Sequence, residues 1–161
     1  MIKILPLRLE YCEAVAVIAR ESLPESWSLQ EIRNVLKYDY NLYYIACNME
    51  SENQVLESDL SIVANCIVGF AGVMLIGDEA ELLNIAIRKA YRRQGIGTLL
   101  LKLLLREMTE RGINRMLLEV RKSNKRAQKL YLQHGFRQLA VRKQYYINPA
   151  EDAVIMECIM R

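Results

Sequence analysis

The sequence predicts a mixed α/β fold in which helices cover a central sheet. Three observations support this prediction: strand-like runs alternate with segments of helical periodicity, no repeat or Pro/Gly-rich linker divides the chain, and its 161 residues suit one domain of ordinary size. Hydrophobic residues make up 52% of the chain and charged residues 25%, as in ordinary globular proteins. We therefore expect a single domain over residues 1–161, large enough to bury its own core.

The first half of the chain predicts four strands and two helices. The strands are expected at Ile2–Leu9, Leu42–Asn48, Ile62–Ile76 and Glu79–Ile87, the last two forming a hairpin around Gly77-Asp78. Glu10–Ser22 has apolar residues at helical spacing. Ser28-Leu29-Gln30-Glu31 is a capping-box pattern, so a second helix is expected from Ser28 to about Tyr38. The segment Met49–Asp59 is acidic and polar, which predicts an exposed loop.

The second half of the chain predicts two helices and three strands. Gly97–Arg111 carries a stripe of leucines and precedes Gly112, a residue typical of a helix C-terminus. A second helix is expected at Asn124–His134. The strands are expected at Ile113–Val120, Phe136–Ile147 and Ala153–Met160, the last two separated by Asn148-Pro149. The predicted order is therefore β-α-α-β-β-β-α-β-α-β-β, which favours a sheet covered by helices.

Charge and composition exclude several classes of function. The net charge is only +3, without a basic block, so we expect no direct binding of nucleic acid. The single histidine, His134, excludes a two-His zinc signature or a multi-His site, and we expect no metal. The uncharged run Leu60–Gly77 contains three glycines and is rich in Ile and Val, which favours a buried strand over a membrane span.

The cysteines predict a reduced cellular compartment. Cys12, Cys47, Cys66 and Cys158 are isolated, without a C-x-x-C pair. Charged residues interrupt Met1–Arg20, so no export signal is expected there. We therefore expect buried, reduced thiols and a cytoplasmic protein, either a monomer or a weak dimer.

A short glycine-containing segment between a predicted strand and a long helix suggests anion binding. It reads Arg92-Arg93-Gln94-Gly95-Ile96-Gly97-Thr98. Glycines at such a junction allow a tight turn, whose N–H groups point at one anion together with the positive end of the helix dipole. No Gly-Lys-Ser/Thr follows, and Leu100 stands where a dinucleotide fingerprint requires glycine. The turn alone is a weak signal, equally compatible with a structural role.

This turn, read as Arg/Gln-x-x-Gly-x-Gly/Ala, resembles the pyrophosphate motif of the GNAT superfamily of acetyl-CoA-dependent N-acetyltransferases. Further motifs in the same order match its RimI-like branch, which acetylates protein N-termini: Leu118-Glu119-Val120-Arg121, Ser123-Asn124, Ala127, Leu130-Tyr131, Gly135-Phe136, Tyr145-Tyr146 and Glu151-Asp152-Ala153. The resemblance implies the GNAT fold, with a mostly antiparallel sheet of seven strands, splayed central strands and about four helices packed on both faces.

The resemblance also implies the cofactor and the residues that bind it. Acetyl-CoA is the expected co-substrate, with pantetheine on the strand and pyrophosphate on the turn. The residues assigned to it are Ile85, Ala86, Ile87, Arg92, Arg93, Gln94, Gly95, Ile96, Gly97, Thr98 and Asn124.

The catalytic roles that the resemblance assigns are general base for Glu119 and general acid for Tyr131. A carboxylate can deprotonate an ammonium group, directly or through water, and a neutral tyrosine can return a proton to sulfur. The residues alone leave alternatives open, since Glu119 also suits a solvated strand end and Tyr131 also suits the core.

The expected acceptor is a protein N-terminus, with a ribosomal-protein alanine as the namesake substrate of the branch. Trp27, Tyr145 and Tyr146 are assigned to its binding, and strand alternation predicts that the two adjacent tyrosine rings point to opposite faces. The acidic residues of Met49–Asp59 suit a basic acceptor. Two alternatives remain: a GNAT enzyme that acetylates a small-molecule amine or lysine side chain, and a non-catalytic acetyl-CoA-binding subunit.

Overall fold

The computed structural model describes residues 1–25, 27–49 and 64–161. The chain divides into two compact units, one of Met1–Gly72 with Asn84–Leu101 and one of Val73–Leu83 with Lys102–Arg161. Two strands and one helix are each shared between these units. That the whole chain forms a single domain stays a prediction.

The helices and strands have the following bounds. The strands are β1 Ile2–Pro6, β2 Asn41–Asn48, β3 Ile67–Ile76, β4 Glu79–Ile87, β5 Arg115–Arg121, β6 Arg137–Ile147 and β7 Ala150–Ile159. The α-helices are α1 Cys12–Ser22, α2 Leu29–Val35, α3 Ile96–Glu110 and α4 Lys125–Gln133, with single 3₁₀ turns at Leu9–Tyr11 and Lys89–Tyr91.

The strands form one seven-stranded sheet in the order β1-β2-β3-β4-β5-β7-β6. β4 and β5 are parallel, whereas β1–β2, β5–β7 and β6–β7 are antiparallel. The predicted mixed α/β class and the largely antiparallel sheet are therefore confirmed. The pairing of β4 with β5 runs from Glu79 opposite Arg115 to Leu82 opposite Leu118, and it ends before either strand does.

Close packing in the first unit depends on a glycine of β3. A Cβ atom at Gly72 would overlap the ring of Tyr43, which lies buried on β2. Because no other residue lacks a Cβ, only glycine allows this ring to lie against β3. Nearby, α1 buries Val15, Ile18 and Ala19.

In the second unit, a buried glutamate is bound by two more exposed arginines. The side chain of Glu157 on β7 is only 3% exposed. It accepts hydrogen bonds from Arg137 Nε at 3.0 Å and from Arg115 Nη1 at 3.3 Å. These bonds lower the pKa of Glu157, with Arg137 contributing most. The network links β5, β6 and β7 at one end of the sheet.

Most element boundaries agree with the sequence prediction within a few residues. Ser28 caps α2 in the predicted capping box, although the helix ends at Val35 rather than near Tyr38. The expected strand from Ile62 is wrong in its first part: residues 64–66 are helical and β3 starts at Ile67, while residues 62–63 lie outside the described residues. The predicted exposed loop lies outside them too, except for Met49.

No helix in the described ranges is both long enough and apolar enough to cross a membrane. All four cysteines are free, and Cys12, Cys47 and Cys158 are buried.

Candidate active site

The predicted anion-binding turn lies directly before α3. Arg93 and Gly95 adopt positive φ angles of 63° and 79°, and helix bonding begins with Leu99 N donating to Gly95 O at 3.0 Å. In the described parts of the chain, no protein acceptor takes the N–H groups of residues 93–98. Such a run of free amides at a helix start is the arrangement that binds phosphate.

The two arginines of the turn do different things. Arg92 Nε donates to Ile87 O at 3.0 Å, so its side chain is tied to the end of β4. Arg93 is exposed, and among the described residues its guanidinium has no partner. Of the pair, Arg93 is therefore the one available to a ligand's phosphate groups.

Hydrogen bonds fix the end of β4, where Ile85, Ala86 and Ile87 were predicted to hold the cofactor. The Ile87 carbonyl accepts from Arg92 and, at 3.5 Å, from Ser22 Oγ of α1. The structure thus brings this strand end together with the anion-binding turn.

Trp27 was predicted to bind the acceptor, and its ring centroid lies 6.3 Å from that of Tyr43. The Tyr43 hydroxyl and both amide atoms of Asn84 are buried, and within the described residues none of them makes a hydrogen bond. Burial raises the pKa of Tyr43, while the nearby Asn84 amide opposes this without reaching hydrogen-bond geometry. Sequence reasoning missed this polar pair, although Asn84 interrupts the apolar buried face of β4, Ala80-Leu82-Ala86.

In the second unit, Glu119 lies half-buried on β5, on the face opposite Met116, Leu118 and Val120. Its Oε1 is 3.4 Å from Arg142 Nη1. The Arg142 guanidinium lies 5.2 Å from the centre of the Tyr145 ring. The nearby Glu119 carboxylate raises the pKa of Tyr145, and burial adds to the shift. The structure therefore brings Glu119 and Tyr145 together and adds Arg142.

A second carboxylate faces this group. Glu81 on β4 is half-buried, and its pKa is raised by burial and by the charge of Glu119, while Arg142 lowers it. Sequence reasoning missed both Glu81 and Arg142, because their proximity to Glu119 depends on which strands are neighbours in the sheet.

Tyr131 on α4 is 6% exposed and packs against Phe136, with ring centroids 5.6 Å apart. Burial raises its pKa, and Tyr146 adds to the shift. Tyr131 is therefore protonated at neutral pH, as both a core residue and a proton donor require.

Tyr146 is held by Arg121, whose guanidinium lies 4.2 Å from the centre of its ring. The two adjacent rings, Tyr145 and Tyr146, contact each other edge to face with centroids 5.1 Å apart. The expectation that they point to opposite faces is wrong, because the pairing with β7 is irregular between Arg142 and Tyr146 and Gln144 has a φ of 51°.

Two further residues have structural roles. Asn124 is the N-cap of α4, and its Oδ1 accepts from Ala127 N at 3.2 Å. His134 ends the same helix, with Nδ1 2.8 Å from Leu130 O. No group of three His, Cys, Asp or Glu residues in the described chain is arranged to hold a metal ion.

The strand end with its free-amide turn in the first unit and the half-buried strand carboxylate in the second unit are each compatible with an acyltransferase, and comparison with known proteins gives the family. A family model described as "Acetyltransferase (GNAT) family" matches residues 12–136, well over half of the chain. The chain therefore belongs to this family and is an N-acetyltransferase.

Several of the similar proteins are named for one acceptor, the N-terminal alanine of a ribosomal protein. The chain is 43% identical over 99 residues to the "[Ribosomal protein bS18]-alanine N-acetyltransferase" of Haemophilus influenzae, covering 60% of this chain and 67% of the relative. The solved ribosomal-protein-S18-alanine N-acetyltransferase from Escherichia coli is 30% identical with a TM-score of 0.82, covering 99% of this chain and 94% of that one. NAA60 of Arabidopsis thaliana, solved with acetyl-CoA, shares the fold at 15% identity, with a TM-score of 0.86 and 99% of each chain covered.

Proposed function

We propose that the protein transfers the acetyl group of acetyl-CoA directly to the α-amine at a protein N-terminus, with an N-terminal alanine of a ribosomal protein as the candidate acceptor. The observation that carries this proposal is the half-buried Glu119 carboxylate, held by Arg142 and facing Tyr145. Similarity to ribosomal-protein-alanine N-acetyltransferases supports the choice of acceptor.

Acetyl-CoA binding is assigned to the strand end and the turn that follows it. The free N–H groups of residues 93–98 suit the pyrophosphate, and Arg93 adds positive charge. The backbone of Ile85–Ile87 would hold the pantetheine arm and the thioester, with an N–H group for the oxyanion. Arg92 acts indirectly, through the Ile87 carbonyl to which it donates.

The chemistry needs one base and one acid. An α-amino group has a pKa of about 7.7–8.0, so much of it is protonated at pH 7 and cannot attack a thioester. Glu119 accepts the proton, directly or through water, and the amine nitrogen attacks the acetyl carbon. The new N–C bond forms as the C–S bond breaks, and the Tyr131 hydroxyl protonates the departing thiolate. The nitrogen loses its second proton through solvent, which restores the Tyr131 hydroxyl, and Glu119 then releases the first proton to solvent. No covalent enzyme intermediate is required, so the free cysteines take no part.

Acceptor recognition is assigned to Trp27, Tyr145 and Tyr146. Aromatic side chains of this kind contribute rigid, largely apolar contact area with a polar edge. Tyr145 is 41% exposed and accessible to a peptide. Asn124 remains a candidate contact for acetyl-CoA through the part of its amide that does not cap α4.

A panel of acceptors tests the proposal. The protein is incubated with acetyl-CoA and with peptides that have a free N-terminal alanine, N-terminally blocked peptides containing lysine, or polyamines, and mass spectrometry locates the acetyl group. We expect acetylation of the free N-termini. Transfer confined to lysine or polyamines would favour another amine as acceptor. Acetyl-CoA binding without transfer to any member would favour a non-catalytic role.

A further inference from the structure

We propose that Glu81 is a positioning residue that acts through Glu119. Together with Arg142, these two carboxylates form a group of three side chains with one net negative charge, and this charge favours the binding of a cationic amine. This inference rests on the proposed function, in which Glu119 takes the proton of the acceptor. Neither Glu81 nor Arg142 belongs to the motifs that indicate acetyl transfer.

Strand register places the two carboxylates on one face of the sheet. Glu81 on β4 is the register partner of Leu117 on β5, and Glu119 is two residues further along β5. Since residues two apart on a strand share a face, Glu81, Leu117 and Glu119 point the same way. The charge of Glu119 contributes to the raised pKa of Glu81, in agreement with this placement.

A cation lies against this pair of carboxylates. Arg142 on β6 is 3.4 Å from Glu119 and close enough to Glu81 to oppose the effect of Glu119 on its pKa. Among the described residues, Glu119 also raises the pKa of Tyr145, which is neutral.

Two glutamates on neighbouring strands, Glu157 and Glu79, are engaged by other arginines. The β7 residue opposite Glu119 is Ile155, and Glu157 is bound by Arg137 and Arg115. Glu79, on the same face of β4, is bound by Arg115 at 2.6 Å. Tyr131 on α4 is buried and protonated.

Counting charges shows what Glu81 contributes. Glu81, Glu119 and Arg142 together carry one negative charge, which an ammonium group neutralises. After Glu119 takes the proton, Glu81 and Arg142 still balance each other. Without Glu81 the group would be neutral before the acceptor arrives, so it would attract a cationic amine less strongly and Glu119 would take its proton less readily.

The test is the pH profile of kcat/KM for acetylation of an N-terminal peptide. Glu81→Gln is expected to move the acidic limb of this pH profile to lower pH, and Arg142→Gln is expected to move it to higher pH. Each shift should be about 0.5–1 pH unit, as expected for the loss of one nearby charge in a partly solvated site. The double variant should return close to the wild-type limb. Glu79→Gln is the matched control, because it removes a carboxylate from the same strand face, and its limb should not move. An unmoved limb in Glu81→Gln, or shifts of the same sign in both variants, would overturn the proposal.

A second measurement keeps the inference separate from the proposed function. The carboxyl carbons of ¹³C-labelled glutamates are titrated by NMR in the wild-type protein and in Glu119→Gln. The charge of Glu119 helps to raise the pKa of Glu81, so the Glu81 resonance should titrate at lower pH in the variant, and an unchanged titration would overturn the coupling. If the wild-type protein acetylates no N-terminal peptide, the proposed function fails, while this titration still decides whether the two carboxylates are coupled.

Discussion

The guanidinium of Arg121 lies 4.2 Å from the centre of the Tyr146 ring, and it joins this ring to the turn between the last two strands. Its Nη1 donates to Pro149 O at 2.9 Å and its Nη2 to Asn148 O at 3.1 Å. Nη1 also lies 3.3 Å from Glu151 Oε2. One side chain on β5 therefore fixes both the β6–β7 turn and a tyrosine assigned to the acceptor.

Arg121→Lys is expected to weaken this arrangement, because an ammonium group cannot stack on the ring and reach two carbonyls at once. We expect a loss of about 1–3 kcal/mol in the free energy of unfolding and a higher KM for the peptide acceptor. Urea unfolding and steady-state kinetics measure the two effects. Arg126→Lys, at an exposed position of α4, is the matched control. Equal effects of the two variants would show that the Arg121 contacts have no special importance.

Tyr131→Phe removes the hydroxyl assigned to the leaving thiolate and keeps the ring that packs against Phe136. We expect kcat to fall about 10²-fold or more, with little change in the affinity for acetyl-CoA or in thermal stability. Single-turnover kinetics measure the fall in rate, and thermal unfolding serves as the control for stability. An unchanged kcat would restrict Tyr131 to a role in the core.

Arg93→Ala removes the exposed cation of the free-amide turn. We expect the Kd for acetyl-CoA to rise about fivefold, equivalent to about 1 kcal/mol, and the effect to shrink at high salt. Calorimetric titration at two salt concentrations measures it. Lys102→Ala, at an exposed position further along α3, should leave the Kd unchanged. A similar loss in both variants would indicate only a general charge effect.

Glu157 makes the stability of the protein pH-dependent. Hydrogen bonds from Arg137 and Arg115 hold its pKa below the value of about 4.3 expected in an unfolded chain. Its stabilising contribution is therefore complete above that unfolded value and is lost as the pH falls through the folded pKa.

The Tm of the wild-type protein should therefore exceed that of Glu157→Gln most near pH 7. This difference in Tm should disappear in acid, below about pH 4. Glu110→Gln, an exposed substitution on α3, serves as the control and should show no such gap. A gap for Glu157→Gln that is constant with pH would contradict the ion-pair explanation.

Local rules anticipated those features that depend on neighbouring residues. The capping box at Ser28, the positive φ of Gly112 and the alternation that places Glu119 on the less buried face of β5 all follow from short-range geometry. The glycine turn before a leucine-rich helix is also readable without a structure, whereas its role in binding a cofactor stays a prediction.

Features that depend on sheet order or on local irregularity were not predictable. Glu81 faces Glu119 only because β4 and β5 are parallel neighbours in one register. The rings of Tyr145 and Tyr146 meet because β6 departs from regular pairing, and the left-handed backbone at Gln144 carries no glycine to signal it. The buried pair of Tyr43 and Asn84 likewise requires knowledge of which strands adjoin.

Glu119 as the base for an N-terminal amine is the central claim, and the single-turnover rate of acetyl transfer to a peptide with a free N-terminal alanine tests it most directly. The rate is compared between the wild-type protein and Glu119→Gln at saturating acetyl-CoA. We expect the rate to fall about 10²–10⁴-fold in the variant, as for loss of a general base, while the Kd for acetyl-CoA stays the same. A Glu119→Gln rate within threefold of the wild-type rate would contradict the assignment.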